Sequence, residues 1–452
     1  MLNYIWLALI VLAMVLGAFG GTLDAVTKGA FTAAEDAVMK IALPLVGVMA
    51  IWLGMMRLAE KAGLIQRLAH ILRPLMTRLF PDVPPEHPAM GAMVLNMGAN
   101  ILGLSNAATP LGLKAMSHLE KLNPIPGTAS NAMCTFLTIN TSSIQLLPVT
   151  AITVLAVNHG KQPTAIVSSA LLATIVATGV GIVAVKLLEK LPAYRLPVAP
   201  PAEAPPAVEE TEDEMPEELP KVNGWWMAGI YGLLGVTTVL FLFTLLPGFF
   251  GQWPFLVETL PGIFRRPPPA TAEPFFLRFL NTLSLFAVPF MLAILPLYAA
   301  ARRVKVYEEF VEGAKDGFHT ALRIIPYLVG MLVAIKMFRD AGGVQMITDA
   351  LKPALGMIQY PPELLPLALM RSLSGSGSLA ILTDLVKEFG PDSLVALTAA
   401  TIYGSSETTF YVIAVYFGSV NVHRTRHAIP AGLIADTTGV FASVFICRAM
   451  FG

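Results

Sequence analysis

Apolar runs long enough to cross a bilayer recur along this chain, separated by short polar punctuation. The clearest windows are 4–19, 38–58, 162–187, 226–250, 283–300, 320–338 and 428–447. A membrane helix needs about 20 apolar residues, so each window predicts a spanning helix. Residues 60–80 follow another rhythm. Leu64, Leu68, Ile71, Leu72 and Leu75 fall near helical spacing with Arg67, Arg73 and Arg78 among them, which predicts a helix lying along the membrane surface. Residues 341–357 carry a weaker form of that pattern, and 20–33 reads as a loop.

Four segments are too polar for ordinary lipid-facing helices. Asn96–Pro110 contains Asn96, Gly98, Asn100, Gly103, Ser105, Asn106 and Thr109; Arg371–Ser378 holds Ser372 and then alternates Ser and Gly from Ser374 to Ser378. Thr135–Thr150 contains Thr138, Asn140, Ser142, Ser143, Gln145 and Pro148; Thr398–Thr409 contains Gly404, Ser405, Ser406 and Glu407. Helix breakers at this density free backbone N–H and C=O groups. In lipid each unpaired group costs several kcal/mol, so irregular backbone survives only inside protein or beside water. The first two segments are therefore expected to be re-entrant hairpin tips or helix breaks. In the third, Pro148 removes a donor and clashes with an earlier carbonyl; in the fourth, Gly404 loosens the chain at the matching place. The bland alternative for the last two is Ser/Thr back-bonding along continuous helices, and for the first two it is close helix packing by small residues.

The last two segments are also versions of one phrase. Thr135, Thr138, Ile139, Ser142 and Ser143 answer to Thr398, Thr401, Ile402, Ser405 and Ser406. Other landmarks follow in the same order: Ala34–Gly47 with Ala314–Gly330, Arg57 with Arg339, and Asn96–Leu104 with Arg371–Ser378. Such collinearity predicts two structural repeats. Between them, 191–222 holds seven prolines from Pro192 to Pro216 and a run of acids from Glu203 to Glu218. That composition cannot bury a core and is expected to be a disordered tether. It divides the chain into 1–190 and 223–452, the latter with an additional helix at 226–250. Arg302, Arg303 and Lys305 predict a cytoplasmic loop. The matching loop 20–33 carries only Lys28, which favours inverted repeats with the N-terminus inside.

Composition agrees with a polytopic, all-α membrane protein. Hydrophobic residues make up 55% of the chain and charged residues 13%, against about 25% charged in soluble domains. The formal net charge of +0 gives no footing for nucleic acid. Cys134 and Cys447 lack metal spacing and read as buried hydrophobes. His423 and His427 lie four apart, but Arg424 and Arg426 between them make the segment a basic loop rather than a metal site. No H-E-x-x-H, Walker A or G-x-S-x-G motif occurs, so no enzymatic role and no cofactor are expected. Charges at membrane depth are functional candidates. Arg371 and Glu407 either pair with each other, or Arg371 holds a carboxylate or phosphate while Glu407 binds a coupling proton or cationic group. Asp384 and Asp436 are weaker candidates.

These residues also carry a family resemblance. Asn96–Met116, followed by Thr138–Pro148, resembles the spore maturation protein A family; Arg371–Ser378, Ile402–Val412 and Ala431–Gly452 resemble the protein B family. The chain is thus similar to a fusion of the two, with 1–190 the A-like gate domain and 223–452 the B-like one. Both belong to a group with a nucleoside-recognition, or gate, domain that is similar to concentrative nucleoside transporters. The resemblance implies a multi-pass protein of the cytoplasmic (inner) membrane with hairpins and broken helices, and it names no substrate. The reading is a permease for a small polar solute, an anionic one included, working by alternating access. A coupling proton or Na+ and a homo-oligomer are compatible with this class. The substrate-binding candidates are Asn96, Asn100, Asn106, Thr138, Asn140, Ser142, Ser143 and Gln145 from one repeat. Arg371, Ser374, Ser376, Ser405, Ser406 and Glu407 come from the other. The alternative is a non-transporting membrane scaffold or regulator of envelope or spore-type maturation.

Overall fold

The computed structural model describes residues 2–103, 105–195, 224–246, 274–343, 345–346, 349–350 and 360–452. All regular secondary structure among these residues is helical. Among the described residues, four helices are long and apolar enough to span a bilayer: 163–188, 225–245, 275–301 and 428–451. The chain is an all-α, multi-pass membrane protein.

In the first half, α1 (Leu2–Gly20) turns into α2 (Leu23–Asp36), which runs through a π-helical turn, Ala37–Ala42, into α3 (Leu43–Lys61). The stretch expected to be a loop at 20–33 is therefore mostly helix. Its Val26, Gly29 and Ala33 are buried, a small-residue stripe that packs on a neighbouring helix without looking apolar in sequence. Next comes α4 (Leu64–Leu79), amphipathic as expected, with Ile65, Ala69 and Met76 buried and Ile71 and Leu75 exposed. A hairpin follows, α5 (Pro88–Leu102) and α6 (Ser105–Lys121), then a broken pair, α7 (Asn131–Ser142) and α8 (Val149–Val157). The half closes with α9 (Ile166–Leu188).

The additional helix, α10 (Gly224–Leu245), ends before the expected 250, and 247–250 lie outside the described residues. Of the expected tether, 196–222 also lies outside them, but its start is ordered. Pro192–Tyr194 forms one 3-10 turn, and Arg426 Nε donates to the Tyr194 carbonyl at 2.9 Å.

The second half runs α11 (Phe275–Ala301), α12 (Val306–Asp340), the hairpin α13 (Leu365–Leu373) and α14 (Gly375–Phe389), the broken pair α15 (Leu394–Gly404) and α16 (Thr409–Ser419), and α17 (Ala428–Phe451). Of residues 341–357, expected to lie at the interface, 344, 347–348 and 351–357 fall outside the described residues. From the hairpin onward, the described elements follow the order seen in the first half: hairpin, broken pair, long closing helix. Helix α12 has 35 residues, about 50 Å at ~1.5 Å per residue, far more than the window 320–338 indicated. Its first turns carry Glu308, Glu309, Glu312, Lys315 and Asp316, too polar for the bilayer core.

Helices of the two halves pack together: α12 runs along α3, and α17 along α9. The α3–α12 contact is close because Gly54, Gly313 and Gly317 bring backbones together; a Cβ on Gly317 would lie 2.7 Å from Ala50 Cα. Arg57 of α3 pairs with Glu309 of α12 at 2.8 Å. Its sequence counterpart Arg339 pairs with Asp384 and Glu388 of α14, both at 2.6 Å, which accounts for Asp384. One apolar core lies among α3, α8, α12, α14 and α15, and a second among α5, α6, α7 and α16.

His427 sits at the N-cap of α17, 0% exposed, with its ring 5.7 Å from that of Tyr194. Neither ring nitrogen has a hydrogen-bond partner. Burial, with Arg426 and Lys186 adding to it, lowers its pKa to about 4. The unfolded chain, with an ordinary value near 6.5, therefore binds a proton that the folded chain refuses between about pH 6.5 and 4. Stability is expected to fall as pH drops through that window, and His427→Phe should flatten that part of the melting-temperature profile. An unchanged profile would remove His427 as the cause.

Candidate functional site

Among the described residues, each of the four polar segments contains a helix interruption, and these four converge. The first hairpin turns at Gly103, in the left-handed region at φ 77°, where glycine carries no steric cost. The second turns at one extended residue, Ser374, whose Oγ accepts from the Gly377 N–H and starts α14. Helix α7 ends at Ser143, also left-handed at φ 33°, and resumes as α8 after Pro148. Helix α15 stops after Gly404 and resumes at Thr409.

Backbone groups freed at one break are satisfied by another, as burial in a membrane protein demands. The Leu146 N–H donates to the Ile101 carbonyl at 2.9 Å, joining the first break to the first hairpin. The Glu407 N–H donates to the Thr141 carbonyl at 2.7 Å, joining the two breaks. Arg371 donates from Nη2 to the Ser406 carbonyl and from Nε to Ser406 Oγ, joining the second hairpin to the second break. The breaks also cross in space. A Cβ on Gly404 would lie 2.4 Å from Pro148 Cβ. Gly404 stays helical with an ordinary φ, so its part is to permit this crossing rather than to loosen the chain.

At the convergence lies a cavity of ≈ 220 Å³. Its wall takes Gly103 from the first hairpin, Gln145 and Thr150 from the first broken pair, Arg371 and Gly375 from the second hairpin, and Tyr403, Gly404 and Glu407 from the second. Arg371 is 4% exposed, with its guanidinium 4.4 Å from the Tyr403 ring centroid. Nε and Nη2 are used by Ser406, and Nη1 has no partner among the described residues. Glu407 Oε1 accepts from Gln145 Nε2 at 3.2 Å, between the two halves of the chain. Arg371 and Glu407 form no ion pair, so the pairing alternative fails; they sit as separate opposite charges on one wall. A guanidinium edge, a carboxylate and an amide suit a small polar solute, and the guanidinium suits a carboxylate or phosphate on it.

Of the residues expected to bind, Gln145, Arg371 and Glu407 line this cavity. Asn96, Asn100 and Asn140 instead form a buried amide chain. Asn100 Nδ2 donates to Asn140 Oδ1 at 2.8 Å, Asn96 Nδ2 donates to the Ala108 carbonyl at 2.7 Å, and Tyr416 OH lies 3.4 Å from both Asn96 and Asn140. Asn96→Leu would remove the side-chain donor to the Ala108 carbonyl and to Tyr416 OH and should cost about 0.5–1.5 kcal/mol, read as a lower melting temperature; no shift would mean that the amide is dispensable. Thr138 and Ser142 bond back to Cys134 and Thr138 carbonyls of α7. The Ser142 and Ser143 carbonyls accept from Thr174 of α9. Ser376 lies beside the capping Ser374, and Ser405 beside Ser443 of α17. Ser406 positions Arg371. The Asn106 side chain lies outside the described residues.

Sequence reasoning missed Tyr403, although it occupies the place of Asn140 in the repeated phrase. It also undervalued Asp436 of α17, which accepts hydrogen bonds from Ser372 and Thr409.

Comparison with known proteins agrees with the residue pattern. Residues 42–157 match a family model described as nucleoside recognition. Spore maturation protein B of Bacillus subtilis is 47% identical over 173 residues, 38% of this chain and 97% of the relative. Spore maturation protein A of the same organism is 45% identical over 181 residues, 40% of this chain and 91% of the relative. No solved structure matches.

Proposed function

Because this chain belongs to the family of the spore maturation proteins A and B and covers each almost end to end, we propose that it joins both in one permease of the cytoplasmic membrane. Residues 1–190 are the A-like unit and 223–452 the B-like unit, arranged as inverted repeats. The substrate is a small polar solute bearing a carboxylate or phosphate, held at the cavity by Arg371, Gln145 and Glu407. Movement of one unit against the other exposes that cavity to each side in turn.

The observation that carries the reading is the polar cavity at the meeting point of all four helix interruptions, with a buried guanidinium on its wall. A fold needs no such arrangement for stability alone, since a charge at membrane depth is costly. The test is flux into proteoliposomes of the purified chain, offered a mixture of labelled small carboxylates and phosphates. Uptake of at least one above protein-free vesicles is expected. Absence of uptake for every compound, together with a protein partner trapped by crosslinking in cells, would favour the scaffold instead.

A further inference from the structure

Asp436 lies in the middle of α17, 4% exposed. Its Oδ2 accepts from Ser372 Oγ at 2.6 Å and from Thr409 Oγ1 at 2.7 Å. Ser372 follows Arg371 in the second hairpin, and Thr409 is the first residue of α16. One carboxylate oxygen therefore ties the second hairpin and α16 to a long helix that is itself packed on α9. Oδ1 is buried and has no partner.

The surroundings leave this carboxylate uncompensated. The charged groups acting on it are Arg371 of α13 and Glu407 of the second break. The other helices packed against α17 bring no further charge to this level. Helices α7 and α9 offer Cys134 and, in the last turn, Lys186; α15 and α16 offer Tyr403, Tyr411 and Tyr416. With all three groups ionised, one guanidinium faces two carboxylates. An unbalanced buried charge of this kind is expensive unless the group neutralises. A metal cation would need several oxygens at once. The two hydroxyls here already point their protons at Oδ2, and Asp436 is not on the cavity wall.

We propose that Asp436 is a proton-binding site, and that a proton delivered from the aqueous phase onto Oδ1 loosens the second hairpin and α16 from α17. The inference rests on the permease reading and supplies its coupling ion. The proton converts the carboxylate to a neutral acid, and no other bond is made or broken covalently. Hydrogen bonds to an ionised acceptor are roughly twice as strong as those between neutral groups. Protonation therefore weakens both hydroxyl contacts at once, on the two elements that carry Arg371 and border Glu407.

Two measurements on the full chain in lipid vesicles test this. Infrared difference spectra across a pH titration should show the carbonyl stretch of a protonated carboxyl, lost in Asp436→Asn and retained in Glu407→Gln. Thr150→Cys places a thiol on the cavity wall; Cys134 and Cys447 are buried. Its rate of labelling by a membrane-impermeant maleimide should depend on pH, and Asp436→Asn should abolish that dependence. The double variant Ser372→Ala/Thr409→Val keeps the acid but removes the clamp, and should label at high pH as fast as the parent does at low pH. A band that survives Asp436→Asn, or labelling whose pH dependence survives it, overturns the proposal and leaves the permease reading standing. A thiol unreactive from both faces at every pH overturns both.

Discussion

Arg371→Gln is expected to abolish solute flux while the protein remains folded. Glutamine keeps a donor for the Ser406 carbonyl but loses the charge, the second donor to Ser406 and the stacking on Tyr403. Removing one partner of a desolvated charged pair costs about 2–5 kcal/mol, which corresponds to a loss of ~30-fold or more in flux. Arg371→Lys is the informative companion. It restores the charge without the planar fork, so partial recovery is expected if the solute carries a carboxylate or phosphate. Flux of the transported compound into proteoliposomes reads both variants, with thermal unfolding as the control for folding. Equal flux in parent and Arg371→Gln would take Arg371 out of the site.

Gly317→Leu is expected to damage the fold itself. The Cβ alone would meet Ala50 Cα at 2.7 Å and the Met49 carbonyl oxygen at 2.8 Å. These are backbone atoms of α3, so no rotamer change relieves the contact. Overpacking typically costs about 1–3 kcal/mol, and more where the neighbour cannot give. A drop of roughly 5–10 °C in melting temperature, or loss of monodisperse protein, is the expected result. Gly232→Leu on α10, where a Cβ has nothing within 4 Å, should be silent. If both variants melt alike, the α3–α12 crossing is not what holds the halves together.

These two residues also mark what could be read from the chain. Arg371 stood out because an arginine among glycines and serines in apolar sequence has few explanations, and the four breaks stood out for the same reason. Gly317 did not, because its partner Ala50 is more than 250 positions away. Helix α2 escaped notice since its buried stripe is built of Val26, Gly29 and Ala33, and such small residues register as polar loop rather than as packing. The hydroxyls of Thr138 and Ser142 misled in the other direction. They repeat in both halves, yet in the structure they bond to carbonyls of their own helix, the ordinary fate of such groups in a membrane helix. Tyr403 and Asp436 needed coordinates, because their importance comes from Arg371, Ser372 and Thr409 lying beside them.

The central claim is that the meeting point of the four breaks is a wet chamber reached from each side of the membrane in turn. Its most direct test is the exposure of Gln145→Cys and Thr150→Cys to an impermeant thiol reagent, applied separately to the two faces of sealed vesicles. Both thiols should react from either face, and each should be shielded by the transported solute. Reaction from neither face would mean a dry, closed interior and would contradict the account.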